Sequence, residues 1–129
     1  MSLIIKSIRK RPLNIILIQL VIVAYLINNL FFKVYTSGAV QQFFICYFND
    51  LICPLLFFSY MNIMLIMLNI EINKLWSVLL IATCIGCVWE FIAPLIKTSS
   101  ITDPVDFLCY IIGSVLYWLI LCFIRTIKD

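Results

Sequence analysis

Four long apolar runs separated by short polar stretches dominate the chain, at about 13–32, 43–68, 75–96 and 104–124. Twenty helical residues cover ~30 Å, the thickness of a bilayer's hydrocarbon core, so each run is long enough to cross a membrane. Short connections favour helices that reverse direction at each turn. The expected fold is therefore all-α: an integral membrane bundle of four antiparallel transmembrane helices, one domain over residues 1–129. The first run carries no charge, and its strongly polar members are Asn14, Gln19, Asn28 and Asn29. Asn28 and Asn29 lie near its exit, where water or a polar partner can satisfy them. A loop over Lys33 to Gln42 follows, with its turn at Thr36-Ser37-Gly38. The second run is interrupted by Asn49, Asp50 and Pro54. Two readings compete there: a long helix from near Gln41 that kinks at Pro54, or a helix from about Leu51 capped by Asn49 or Asp50. Asn69 to Lys74 and Lys97 to Thr102 are the remaining polar loops, and Ala82, Cys84, Gly86 and Cys87 give the third run a small-residue middle suited to close packing.

Composition sharpens this picture. Apolar side chains make up 65% of the 129 residues and charged ones 12%, against about 25% charged in an ordinary soluble domain. The net charge of +3 is too small to suggest a nucleic-acid partner. There is no histidine, which removes the commonest metal ligand and general base. The six cysteines all lie in apolar runs and read as small core residues rather than a disulfide framework. Met1 to Arg11 is basic and is followed by a run too long for a secretory signal, so it reads as an uncleaved signal anchor. With the N-terminus inside, seven lysines and arginines (6, 9, 10, 11, 74, 125 and 128) fall on the cytoplasmic side and two (33 and 97) outside. The positive-inside rule then predicts a multi-pass protein of the cell's plasma membrane with both termini cytoplasmic.

That topology sorts the six acids. Glu71 and Asp129 face the cytoplasm, while Asp50, Glu90, Asp103 and Asp106 fall in the outer half of the bundle. Asp103-Pro104-Val105-Asp106 reads as a helix start, with a capping aspartate, proline at the first position and an acid in the first turn. Glu90 has no such role, since it sits between Trp89 and Phe91 inside an apolar helix. An intramembrane acid costs roughly 2.5–3.5 kcal/mol on insertion scales and marks a functional site by default. Helical spacing places Asp106, Tyr110, Gly113 and Tyr117 on one face of the fourth run, Gly86, Glu90 and Pro94 on one face of the third, and Asp50, Pro54, Phe57 and Met61 on one face of the second. If those faces meet, Asp50, Glu90, Asp106 and Tyr110 converge on one pocket, with Asn49 and Asp103 at its edge.

An acid in the second run, a glutamate late in the third and Asp-x3-polar-x2-Gly in the fourth resemble the VanZ-like group of small membrane proteins, named for a teicoplanin-resistance protein. The resemblance runs from about Asn49 to Tyr117 and falls on Asp50, Glu90, Asp106 and Gly113. It departs from the family where Leu51-Ile52 replaces the usual lysine and histidine, and where Ala93 and Tyr110 replace glutamine and asparagine. Asn-Asp-Leu, Trp-Glu and Asp-Pro-x-Asp are also similar to small proteins labelled as magnesium–citrate transporters. Three functions are expected. One is an outer pocket that binds a lipid headgroup, a cell-wall-linked ligand or a divalent cation bridging a phosphate, linked to antibiotic protection. Another is a metal- or proton-coupled transporter. The third is an accessory subunit that packs against a partner membrane protein or a second copy. With no histidine and no nucleophile beside a base, catalysis is disfavoured.

Overall fold

The structure, a computed structural model, describes residues 12–96 and 103–128. The expected loop at 97–102 and the signal anchor before Pro12 lie outside them. Every element among the described residues is helical, and four helical spans are long and apolar enough to cross a membrane. Helix is what such sequences require, because a backbone in lipid must satisfy its own N–H and C=O groups.

The first span is an α-helix over Pro12–Ile27 that widens into a π-helical turn at Asn28–Phe32 and closes with Lys33–Tyr35. The second begins at Gly38, so the connection is shorter than the sequence suggests, with only Thr36 and Ser37 outside helix. The Thr36 hydroxyl bonds the Phe32 carbonyl, Gln41 Nε2 donates to the Lys33 carbonyl at 3.0 Å, and Gly38 takes the positive φ (66°) that reverses the chain. These bonds let both helices run almost to the turn.

The second span comprises Gly38–Cys46, Phe48–Met64 and a 3₁₀ turn at Leu65–Leu68. It is one long distorted helix, as the first reading has it. The irregularity falls at Tyr47, though, and Tyr47 N–H and Leu51 N–H still bond the carbonyls four residues back. Asn49 and Asp50 lie inside the helix and cap nothing. Pro54 is buried within it, and its missing N–H releases the Asp50 carbonyl. The span ends on Asn69 in the left-handed conformation (φ 54°), with Asn69 N–H bonded to Ile66 O and Ile70 N–H to Leu65 O. This is the paired-bond stop that usually calls for glycine.

The third span is Leu75–Ile96 and the fourth Pro104–Lys128. Consecutive spans are antiparallel, but their order in space is first, second, fourth, third. The most intimate pair, second and fourth, therefore runs parallel: Tyr47 meets Asp103, Leu51 and Pro54 meet Gly113, and Phe58 stacks on Tyr117 with centroids 5.5 Å apart. A Cβ on Gly113 would drive into the Leu51 carbonyl, so glycine is what permits this approach. The fourth span meets the third through Gly86 against the Phe107 ring, Trp118 Nε1 donating to the Asn73 carbonyl at 3.1 Å, and an Arg125–Glu71 ion pair at 2.6 Å.

The core, to which all four spans contribute, is polar at one end. Tyr117, fully buried, accepts from Asn62 Nδ2 at 2.6 Å and donates to Asn14 Oδ1 at 3.0 Å. Asn62 also bonds both backbone groups of Ile72, at 2.7 and 3.1 Å, which ties the turn before the third span to the core. Each of the three side chains removes a cost the others would otherwise bear in a medium without water.

Candidate functional site

Asp50, Glu90, Asp103 and Asp106 collect at the opposite end of the bundle from Glu71. The start of the fourth span is built as its sequence implies. Asp103 Oδ1 accepts Val105 N–H at 2.9 Å, the Asp103 carbonyl accepts Asp106 N–H at 3.0 Å, and Pro104 occupies the first helical position. The other oxygen, Asp103 Oδ2, accepts from the Tyr47 hydroxyl at 3.3 Å, so the cap also joins the second and fourth spans. Asp106 follows in the first turn, half-buried.

Asp50 lines a cleft of about 340 Å³ between the first two spans, walled by Val21, Tyr25, Ile52, Cys53 and Leu56, with Asn49 beside it. Behind the cleft, Asn28 is completely buried. Its Nδ2 donates to Asn49 Oδ1 and to the Phe44 carbonyl, each at 3.0 Å, and its Oδ1 has no donor. The π-helical turn beginning at Asn28 is of a kind often found at functional sites. Asn29 is self-contained: it donates to the Tyr25 carbonyl and accepts from Lys33 Nζ, both at 2.8 Å.

Glu90 lines a different cavity, about 470 Å³, between the third and fourth spans, with Cys87, Phe91, Pro104, Phe107 and Leu108. Its Oε2 is buried and, among the described residues, meets no hydrogen-bond donor. Gly86, one turn away on the same face, lets the Phe107 ring lie against the helix and form the cavity floor.

Asp50, Asp106 and Glu90 lie toward the end of the molecule at which Tyr47 meets Asp103 and Gly86 meets Phe107. Asp50 and Glu90 line two different cavities, one between the first and second spans and one between the third and fourth. The fourth span packs against both the second and the third, and Asp106 lies in its first turn. Tyr110 is buried on that helix and lines neither cavity. Among the described residues, no three cysteine, aspartate or glutamate side chains lie close enough to hold one metal ion, and the cysteines are free.

Asn28 is the residue that sequence reasoning left outside the site. Its signal was an amide in an uncharged apolar run, but its partner Asn49 sits on another helix at a separation no local pattern encodes. Comparison with known proteins yields no match to a family model, a curated protein or a solved structure.

Proposed function

We propose that the acidic end of this multi-pass membrane protein is a binding site for a ligand delivered from the lipid phase or the cell envelope: a lipid headgroup, a cell-wall-linked group, or the cation such a group carries. The observation that supports this reading is Glu90, whose Oε2 is buried without a donor beside a cavity open between two helices. A carboxylate oxygen removed from water and left unpartnered is costly, and a ligand that donates hydrogen bonds or brings positive charge offsets that cost. The positive-inside bias puts this end on the outer side of the plasma membrane, with both termini cytoplasmic. The VanZ-like pattern of Asp50, Glu90, Asp106 and Gly113 favours the same end of the molecule, and with it a role in protecting the envelope. The absence of histidine favours binding over catalysis.

The experiment is extraction and mass spectrometry of what co-purifies with the wild-type chain and with Glu90→Gln. A small molecule or lipid species retained by the wild type and lost from a normally folded Glu90→Gln is the expected result. Identical complements from both proteins would contradict the reading.

A transporter is the second reading, and one feature favours it. Ser114, Ser59, Tyr117, Asn62 and Asn14 continue a buried polar seam from the acidic end toward the other end of the bundle. Its test is a proton or metal-ion flux in proteoliposomes that Asn62→Leu, in the middle of that seam, abolishes.

A further inference from the structure

We infer that the cavity between the third and fourth spans takes the primary ammonium head of a membrane lipid, with Glu90 Oε2 as its acceptor. This rests on the acidic end being a binding site and goes on to name the chemistry of its occupant. Three observations lead to it.

First, the carboxyl oxygen has no partner among the described residues. Neither helix that forms the cavity contains a lysine or arginine from Leu75 to Ile96 or from Pro104 to Ile124, and among the described residues Oε2 has no donor. An occupant that brings N–H donors on a positive charge suits that oxygen. Second, the approach is lateral. Phe91 and Leu108, on the cavity rim, are 72% and 56% exposed, and the remaining walls are Cys87, Pro104 and Phe107. Those are surfaces that face acyl chains in a membrane, so the occupant arrives along the bilayer. Glu90 lies six residues before the end of its helix, ~9 Å along the axis, a depth that a lipid headgroup drawn slightly inward can reach. Third, the two other cation classes fit poorly. No cluster of three ligands for a metal ion exists among the described residues. A quaternary ammonium has no N–H to give the carboxylate and is held by several aromatic faces, whereas only Phe91 and Phe107 are available. A primary ammonium supplies three donors on one compact charge.

The test uses the full chain in nanodiscs containing equimolar phosphatidylethanolamine, its N-methyl and N,N-dimethyl derivatives, and phosphatidylcholine, all with the same acyl chains. Native mass spectrometry reads which lipid stays bound. The expected result is retention of phosphatidylethanolamine over phosphatidylcholine by about tenfold, the factor equivalent to ~1.4 kcal/mol, falling at each methylation. Glu90→Gln should flatten the series. A flat series in the wild type overturns the inference without any variant having to fold, and so does an unchanged series in Glu90→Gln. If the wild type shows a flat series while Glu90→Gln still loses some other co-purified species, the ammonium assignment is wrong and the binding-site reading stands. If no species depends on Glu90, both are wrong.

Discussion

Tyr117 and Glu90 each put a polar group inside an apolar helix, in opposite circumstances. The Tyr117 hydroxyl has Asn62 and Asn14 at hydrogen-bond distance, whereas Glu90 Oε2 has no donor. Removing the first should cost stability. Tyr117→Phe leaves two buried amides short of a partner, and hydrogen bonds between membrane helices contribute roughly 0.6–1.7 kcal/mol each. Asn62→Ala should cost more than Tyr117→Phe, because it also frees both backbone groups of Ile72. Reversible unfolding in mixed micelles gives both values, and the reverse ranking would show that the Ile72 contacts are dispensable. At Asp103 the loss of the cap predicts about 0.5–2 kcal/mol for Asp103→Ala, read from the same unfolding curves. No loss there would mean that Pro104 alone sets the helix start. These residues were unequally legible. Asp103-Pro104-Val105-Asp106 announces its cap because every partner is within three positions. Asn62 gives no such notice, since what it holds is the backbone of another segment.

At the scale of helices, the two buried glycines make different contacts. A Cβ at Gly113 meets the Leu51 carbonyl, a backbone atom that can move only with its helix. A Cβ at Gly86 would lie 2.6 Å from Phe107 ring carbons, which a side-chain rotation can withdraw. Gly113→Ala should therefore lower the thermal midpoint well below that of Gly86→Ala, and a larger loss from Gly86→Ala would mean the second and fourth spans are not in this register. The number of spans was legible because apolar run length is a direct measure of bilayer thickness, while the first turn is tighter than its polar residues suggest. The order of the helices was not. In lipid the outward face is as apolar as the core, as the exposed Trp89, Phe91 and Leu95 illustrate, so the runs carry little sign of which face meets which neighbour. The expected face of the fourth span survived this test, with Tyr110, Gly113 and Tyr117 all buried. Asp50 and Glu90 line separate cavities, and the fourth span packs against the helices that carry both.

At the scale of the whole molecule, the sidedness of the acidic end decides which compartment supplies its ligand. Single cysteines at Ser37 and at Asn73, in a background without the native thiols, lie in turns at opposite ends of the bundle. An impermeant thiol reagent applied to intact cells should label the first and spare the second; labelling of Asn73 alone would reverse the orientation. The most direct test of a ligand-binding Glu90 is the thermal unfolding of the wild type and Glu90→Gln in plain detergent and again with total envelope lipid extract. A ligand at a hundred times its dissociation constant adds about 2.7 kcal/mol to the state that binds it. The wild type should gain a higher midpoint from the extract. Glu90→Gln, relieved of a buried unpartnered carboxylate, should match or exceed the wild type in detergent and gain nothing from the extract. A variant that is weaker in detergent and gains as much as the wild type would make Glu90 a structural residue, and the account of the site would be wrong.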